Sequence, residues 1–386
     1  MSRYYSYLNT AKEVVSNYKG ELPLAIWLKQ FFATRKQMGS RDRREVSSIV
    51  YQYYRLGKSV TCSFEERIGI SLFLCRTTSS ELLKLLKPEW NDKIDLPLPD
   101  KITLLDELNQ LQIFPFTNEI QEGIDKARFN LSHLIQPDLF IRIRPDKSQQ
   151  VKNKLQANGI GFMELSDSCL SISNATSLDT ILDVDKEVVI QDYSSQQVAD
   201  LLAPLINSKK TLKVWDCCAA SGGKSIMAVD VLGNINLTTS DVRSSIIQNL
   251  RKRFERAGIT RYQSFVADIA TDIPQLKGHY FDLIICDAPC TGSGTWGRTP
   301  ENLVHFKQES IQQFNVLQQK IVSHSMAHLV AGGYFLYITC SVFTAENEAI
   351  VAFIQQQFPQ LQLVSASIIE GHKKRADTMY AALFRL

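Results

Sequence analysis

Residues 212–224 read Leu-Lys-Val-Trp-Asp-Cys-Cys-Ala-Ala-Ser-Gly-Gly-Lys: an apolar strand that ends on Asp216, then small residues leading into a helix. The same texture recurs downstream in INLTTSD (235–241), YQSFVAD (262–268), FDLIICD (281–287) and YFLYITC (334–340). Helical stretches, among them 244–256 and 310–330, separate these strands. Short apolar strands alternating with helices predict an α/β fold, a doubly wound and mainly parallel sheet. Ligands of such sheets bind beyond the carboxyl ends of the strands, and four of these ends carry Asp216, Asp241, Asp268 and Asp287.

The loop Cys218-Ala219-Ala220-Ser221-Gly222-Gly223-Lys224 lets a backbone approach a ligand closely before a helix begins. It has neither the G-x-x-x-x-G-K-[ST] nor the G-x-G-x-x-G spacing, and alone it reads as an ordinary strand-to-helix turn. Asp241 is placed to accept from a vicinal ribose diol and Asp268 from an exocyclic adenine amine, although either can equally cap a helix. Loop and carboxylates together favour an adenosyl cofactor.

Working outward, 386 residues exceed one ordinary core and suggest two or three domains. Hydrophobic residues make up 44% and charged residues 22%, with no apolar run long enough for a bilayer, so a packed protein without membrane association is expected. The net charge of +3 does not by itself call for a polyanionic partner. The opening residues lack a secretion signal. The eight cysteines lack zinc-knuckle or disulfide-scaffold spacing, which implies cytoplasmic thiols and no metal.

Residues 1–125 read as helical, with helices over 4–17, 23–37 and 40–56 and Pro23 at a first helical position. Here Lys29, Arg35, Lys36, Arg41, Arg43, Arg44, Arg55 and Lys58 lie among Phe31, Phe32, Tyr51, Tyr53 and Tyr54. Such residues neutralise phosphates and stack on bases, or form a core beneath a solvated face. Two prolines within 96–111 mark a linker before a new helical pattern. Residues 126–190 form a small α+β module, in which FIRIR (140–144) alternates apolar and basic residues. Residues 191–386 hold the parallel sheet. Removing 1–125 should leave this last part folded but weaker in nucleic-acid binding.

The most specific signal is a pair of motifs, Asp287-Ala-Pro-Cys290-Thr-Gly-Ser-Gly and Thr339-Cys340-Ser341, each following an apolar strand. A lone cysteine packs as a small hydrophobe. Two thiols aimed at one edge of a sheet point instead to chemistry. Trp296, Arg298 and Pro300 beyond Cys290 form either a substrate loop or a packed turn.

Residues 191–386 resemble the RsmB/Nop/Sun family of RNA cytosine-5 methyltransferases. The likeness rests on Gln191-Asp192 with Ser195-Gln196, CAASGGK at 218–224, DAPC at 287–290, TCS at 339–341 with Glu346-Asn347-Glu348, and the terminal ADTMYAALF. GSRDRREVSSIVYQYYRL at 39–56 is similar to the NusB-like RNA-binding domain of the RsmB branch, and the middle module to the family's RRM-like extension.

The resemblance implies a Rossmann-like class I methyltransferase domain acting on ribosomal or transfer RNA, as a monomer, with S-adenosylmethionine. It implies Cys340 as nucleophile at cytosine carbon 6, Cys290 as the cysteine that helps release product, and Asp287 as a partner of the ring. Residues 218–224 with Asp241, Asp268 and Asp287 fall on its cofactor positions. The chain departs from the family at Ser221, where proline is usual, and at Ile246, where a basic residue is common.

Three other readings compete. A DNA cytosine-5 methyltransferase uses the Pro-Cys thiol as nucleophile and needs no TCS cysteine. A non-catalytic ribosomal RNA assembly factor would keep only the fold, and a zinc protein would draw on His324, His328, Cys286 and Cys290.

Overall fold

The computed structural model describes residues 3–105, 111–174, 176–206 and 210–386. Its contacts divide the chain into two compact units, the first built from 1–118, 125–136 and 295–308, the second from 119–124, 137–294 and 309–386.

The first unit is helical. In the helix Arg3–Asn17 the buried residues Tyr7, Leu8, Ala11 and Val14 share one stripe, and in Ser40–Arg55 Val46, Ile49, Val50 and Tyr54 form another, so the two helices pack together. Pro23 lies one residue outside its helix, which runs Leu24–Ala33 and not to Gln37. Proline has no side-chain acceptor for the orphan N–H groups of a first turn; Glu301 Oε1 accepts from Leu24 N at 3.1 Å instead. Leu98–Leu104 is helical, with Pro97 just outside it and Pro99 in its first turn, and the rest of that expected helical pattern, 106–110, lies outside the described residues.

The basic and aromatic patch splits in two. Phe32, Tyr54 and Arg55 are buried, Arg55 donating to the carbonyls of His133 (2.9 Å) and Gly297 (3.0 Å). Lys29, Lys36, Arg41, Arg44 and Lys58 are exposed. Trp296 is fully buried against Phe114 and Phe306, with ring centroids 5.3 and 4.8 Å away, so the packed alternative for this segment is the one observed. Removing residues 1–125 would uncover it, so that truncation is not the clean cut that the sequence suggests.

The second unit contains two sheets. The smaller is antiparallel, ordered β2-β3-β1-β4, from β1 (Leu139–Ile143), β2 (Phe162–Ser166), β3 (Cys169–Ile172) and β4 (Val188–Ile190). The basic residues of FIRIR, Arg142 and Arg144, lie on Asp230 of the helix Gly223–Leu232, at 2.6 and 2.8 Å. Buried Asp185 likewise pairs with Arg253 and Arg256 of Ser244–Arg256, at 2.7 and 2.6 Å. Each pair has a nearly inaccessible carboxylate, so losing one partner would strand a buried charge.

The larger sheet has seven strands: β5 (Leu212–Asp216), β6 (Ile235–Asp241), β7 (Tyr262–Val266), β8 (Phe281–Asp287), β9 (Leu329–Thr339), β10 (Gln362–Ile369) and β11 (Met379–Arg385). Their order is β10-β11-β9-β8-β5-β6-β7. β5 to β9 pair in parallel, while β11 runs antiparallel to β9 and to β10. Apolar side chains cover both faces, with Val214, Leu283 and Ile338 on one and Trp215, Ile284 and Tyr337 on the other. The doubly wound, mainly parallel Rossmann-like sheet is therefore observed. Strand order reverses at the β5/β8 junction, where such sheets hold their ligands. No described helix is long and apolar enough to cross a membrane.

Candidate active site

Beyond the carboxyl ends of β5, β6 and β8 lies a cavity of about 440 Å³, within the usual size range of small-molecule sites. Cys218, Ala220, Asp241, Asp268, Asp287, Cys290 and Cys340 all line it. Its floor is the turn after β5. Ala220 sits at φ +45° and Gly222 at φ +85°, and a side chain on Gly222 would come within 2.6 Å of the Phe254 ring. Glycine is thus required where the helix Gly223–Leu232 starts against its neighbour. Of the expected turn residues, Cys218 and Ala220 line the cavity, whereas Ala219, Ser221, Gly222, Gly223 and Lys224 are not among its lining residues. Ser221, in place of the expected proline, accepts from Arg253 Nη1 at both its carbonyl and its hydroxyl, at 2.9 Å each.

Asp241 accepts from Ala220 N at 3.0 Å and from the backbone and side chain of Arg243. Burial alone would raise its carboxyl pKa, but the Arg243 and Ala220 hydrogen bonds outweigh that and hold it below the ordinary value. Arg243 therefore occupies edges of the carboxylate that a ribose would use. Asp268 is exposed and its Oδ1 accepts from Ala270 N at 2.9 Å, so it caps a turn and lines the cavity at once. These acceptors suit the hydroxyls and amines of an adenosyl group, and the donor set therefore fits such a cofactor.

On the other side of the cavity Lys224 reaches from the helix start to Asp287, with Nζ 2.9 Å from Oδ2 and 2.8 Å from Ser195 Oγ. This ion pair joins residues 63 positions apart in the chain.

Cys290 Sγ and Cys340 Sγ lie 3.3 Å apart. The hydrogen bond to Cys340 and then burial push the Cys290 thiol well up. Two loops are pinned to bring them together. Gly294 N donates to the Cys340 carbonyl at 2.9 Å, and any Cβ on Gly294 would fall 1.9 Å from the Thr378 carbonyl oxygen. Val342 N donates to Ser293 Oγ at 2.9 Å.

Beneath both loops lies Glu346, fully buried. Its Oε1 accepts from Thr291 N at 2.9 Å and Gln318 Nε2 at 3.0 Å, and its Oε2 from the hydroxyls of Thr291 and Ser341. Burial pushes its carboxyl above the ordinary value against the pull of these donors. One side chain thus joins the Cys290 loop to the Cys340 loop. Sequence reasoning noted Glu346 only within a family pattern; its signal is an acid enclosed by apolar and hydroxyl residues.

His324 and His328 each use Nδ1 on a nearby backbone carbonyl, at 2.9 Å, and do not gather with Cys286 and Cys290. The zinc arrangement considered from sequence is thus not formed among the described residues.

Residues 202–384 match the family described as 16S rRNA methyltransferase RsmB/F. A ribosomal RNA small subunit methyltransferase B of Xanthomonas campestris pv. campestris is 32% identical over 194 residues, covering 48% of this chain and 44% of that protein. The chain thus matches less than half the length of this curated relative. Among solved structures, that of PH0851 superposes with a TM-score of 0.71 at 21% identity, over 94% of this chain and 95% of its own. NSun6 from Pyrococcus horikoshii, solved with SFG, gives 0.60 at 14% identity, over 71% and 97%. These structural likenesses establish the fold. Residues 202–384, just under half of the chain, are thus similar to the RsmB/F methyltransferase family.

Proposed function

We propose that this protein methylates carbon 5 of a cytosine in structured RNA, 16S ribosomal RNA first, using S-adenosylmethionine. The observation that carries the reading is the thiol pair, two sulfurs 3.3 Å apart on loops from separate strands, in a cavity also lined by three carboxylates. When bound, S-adenosylmethionine supplies an electrophilic methyl group. The residues for it are the 218–224 turn, Asp241 and Asp268.

Cytosine carbon 5 is inert until a nucleophile adds at carbon 6. Cys340 Sγ makes that bond and leaves carbon 5 enamine-like. Asp287 and Lys224 face the ring and hold the charge that develops on it. After carbon 5 is methylated, loss of its proton expels Cys340, and Cys290 assists this release. Only an unstacked base exposes its face to a thiol, so loops and junctions of RNA are the fitting targets.

We further propose that residues 1–125 and 126–190 serve as RNA-binding modules ahead of the methyltransferase domain, 191–386. Transfer RNA is the second substrate class. The names of the matched relatives favour ribosomal RNA.

Bisulfite sequencing of total RNA from cells with and without the protein tests the reaction. One protected cytosine that depends on the protein is expected, and an identical pattern in both would remove the proposal in favour of an assembly factor. For the cofactor site, calorimetry with S-adenosylhomocysteine should show Asp241→Ala weakening binding by about 1–3 kcal/mol, the range for hydrogen bonds to a charged group. Unchanged affinity would mean that Arg243 keeps the carboxylate to itself.

A further inference from the structure

Three more cysteines meet at the same strand junction, and the reaction above uses none of their thiols. Cys217 and Cys218 follow β5 directly, and Cys286 is the penultimate residue of β8, the adjacent parallel strand. A hydrogen bond from Cys217 N to the Ile285 carbonyl, 2.9 Å, fixes the register. The three sulfurs lie within 4.8 Å of one another. Cys217 and Cys286 are fully buried in an apolar cluster with Trp215, Ile321 and Tyr337, while Cys218 is half-buried and lines the cavity.

The composition of this cluster selects its ligand. It offers three soft sulfurs, and no imidazole or carboxylate belongs to it among the described residues. Soft donors choose soft ions over magnesium or calcium. A divalent ion on three thiolates would leave a net negative charge in apolar surroundings, which is costly to bury, and zinc would still need a fourth ligand. A trivalent centre that takes three ligands and keeps a lone pair ends neutral and complete.

We propose that Cys217, Cys218 and Cys286 form a binding site for trivalent, sulfur-seeking arsenic, supplied as arsenite. The exchange balances without an oxidant: As(OH)3 and three thiols give one As(SR)3 and three waters. Three As–O and three S–H bonds break, and three As–S and three O–H bonds form. Because Cys218 also lines the cavity, an occupied site blocks adenosyl binding; this consequence rests on the function proposed above, whereas arsenic binding itself does not.

Reduced full-length protein titrated with arsenite should show one arsenic per chain by native mass spectrometry. X-ray absorption at the arsenic edge should show three sulfur neighbours and no oxygen. Cys286→Ser and Cys217→Ser should each weaken uptake by at least about tenfold, the scale on which metal sites respond to lost support. Cys290→Ser with Cys340→Ser should leave it unchanged. Absence of uptake, or uptake that vanishes in the Cys290/Cys340 double variant, would overturn the assignment. The absorption spectrum of unmodified protein decides the matter even if a buried serine disturbs folding, since two sulfurs with one oxygen would refute the trio.

Discussion

Cys340→Ala is expected to lose methyl transfer by at least about 10,000-fold, the scale on which nucleophile deletions act, and to yield no covalent RNA species. Without addition at carbon 6 the base never becomes nucleophilic. Cys290→Ala should behave oppositely in a denaturing gel. Its Cys340 still attacks and carbon 5 is still methylated, but release is slow, so a protein–RNA complex resistant to denaturation builds up. That complex should vanish in the double variant. An adduct from Cys340→Ala and none from Cys290→Ala would reverse the two thiols and restore the DNA-methyltransferase arrangement.

Glu346→Ala is expected to destabilise the second unit by at least about 3 kcal/mol. The substitution takes the carboxylate acceptor from Thr291 N and from one of the two Gln318 Nε2 hydrogens, the other still reaching the Pro289 carbonyl, at about 1–3 kcal/mol for each buried unsatisfied donor, and leaves a void as well. Because the same carboxylate ties the Cys290 loop to the Cys340 loop, turnover should fall more than substrate affinity. Glu346→Gln keeps the shape and one carbonyl acceptor, so its loss should be smaller on both counts. Denaturant unfolding and steady-state kinetics measure the two effects. A change in stability below about 1 kcal/mol for the alanine variant would show that the hydroxyls and amides find other partners.

The parallel strands were legible nearly to the residue because each is a short apolar run closed by a polar residue and a helix. INLTTSD and FDLIICD coincide with β6 and β8, and 244–256 with its helix. β10 was harder to see, since Gln362–Ile369 is largely half-exposed and its pattern is irregular. Strand ends placed Asp241, Asp268 and Asp287 at the cavity correctly as a group. What their carboxylates touch was not legible: Arg243 on Asp241 and Lys224 on Asp287 depend on side-chain directions that spacing does not encode. The same limit applies to FIRIR. Alternation showed that Arg142 and Arg144 share a face, but not that a helix carrying Asp230 would cover it.

The helical unit is assembled from three separate stretches of chain, and this governs the order in which it can be completed during synthesis. Leu24 N waits for Glu301, 277 positions later, and Phe114 waits for Trp296. At about 5–20 residues per second, roughly ten seconds to a minute separates their emergence from the ribosome. Through that interval the earliest helices carry an apolar surface whose natural cover has not yet been made. The helices around residue 24 are therefore made well before their unit can finish folding, and a nascent chain stalled before residue 295 should be a client for chaperones.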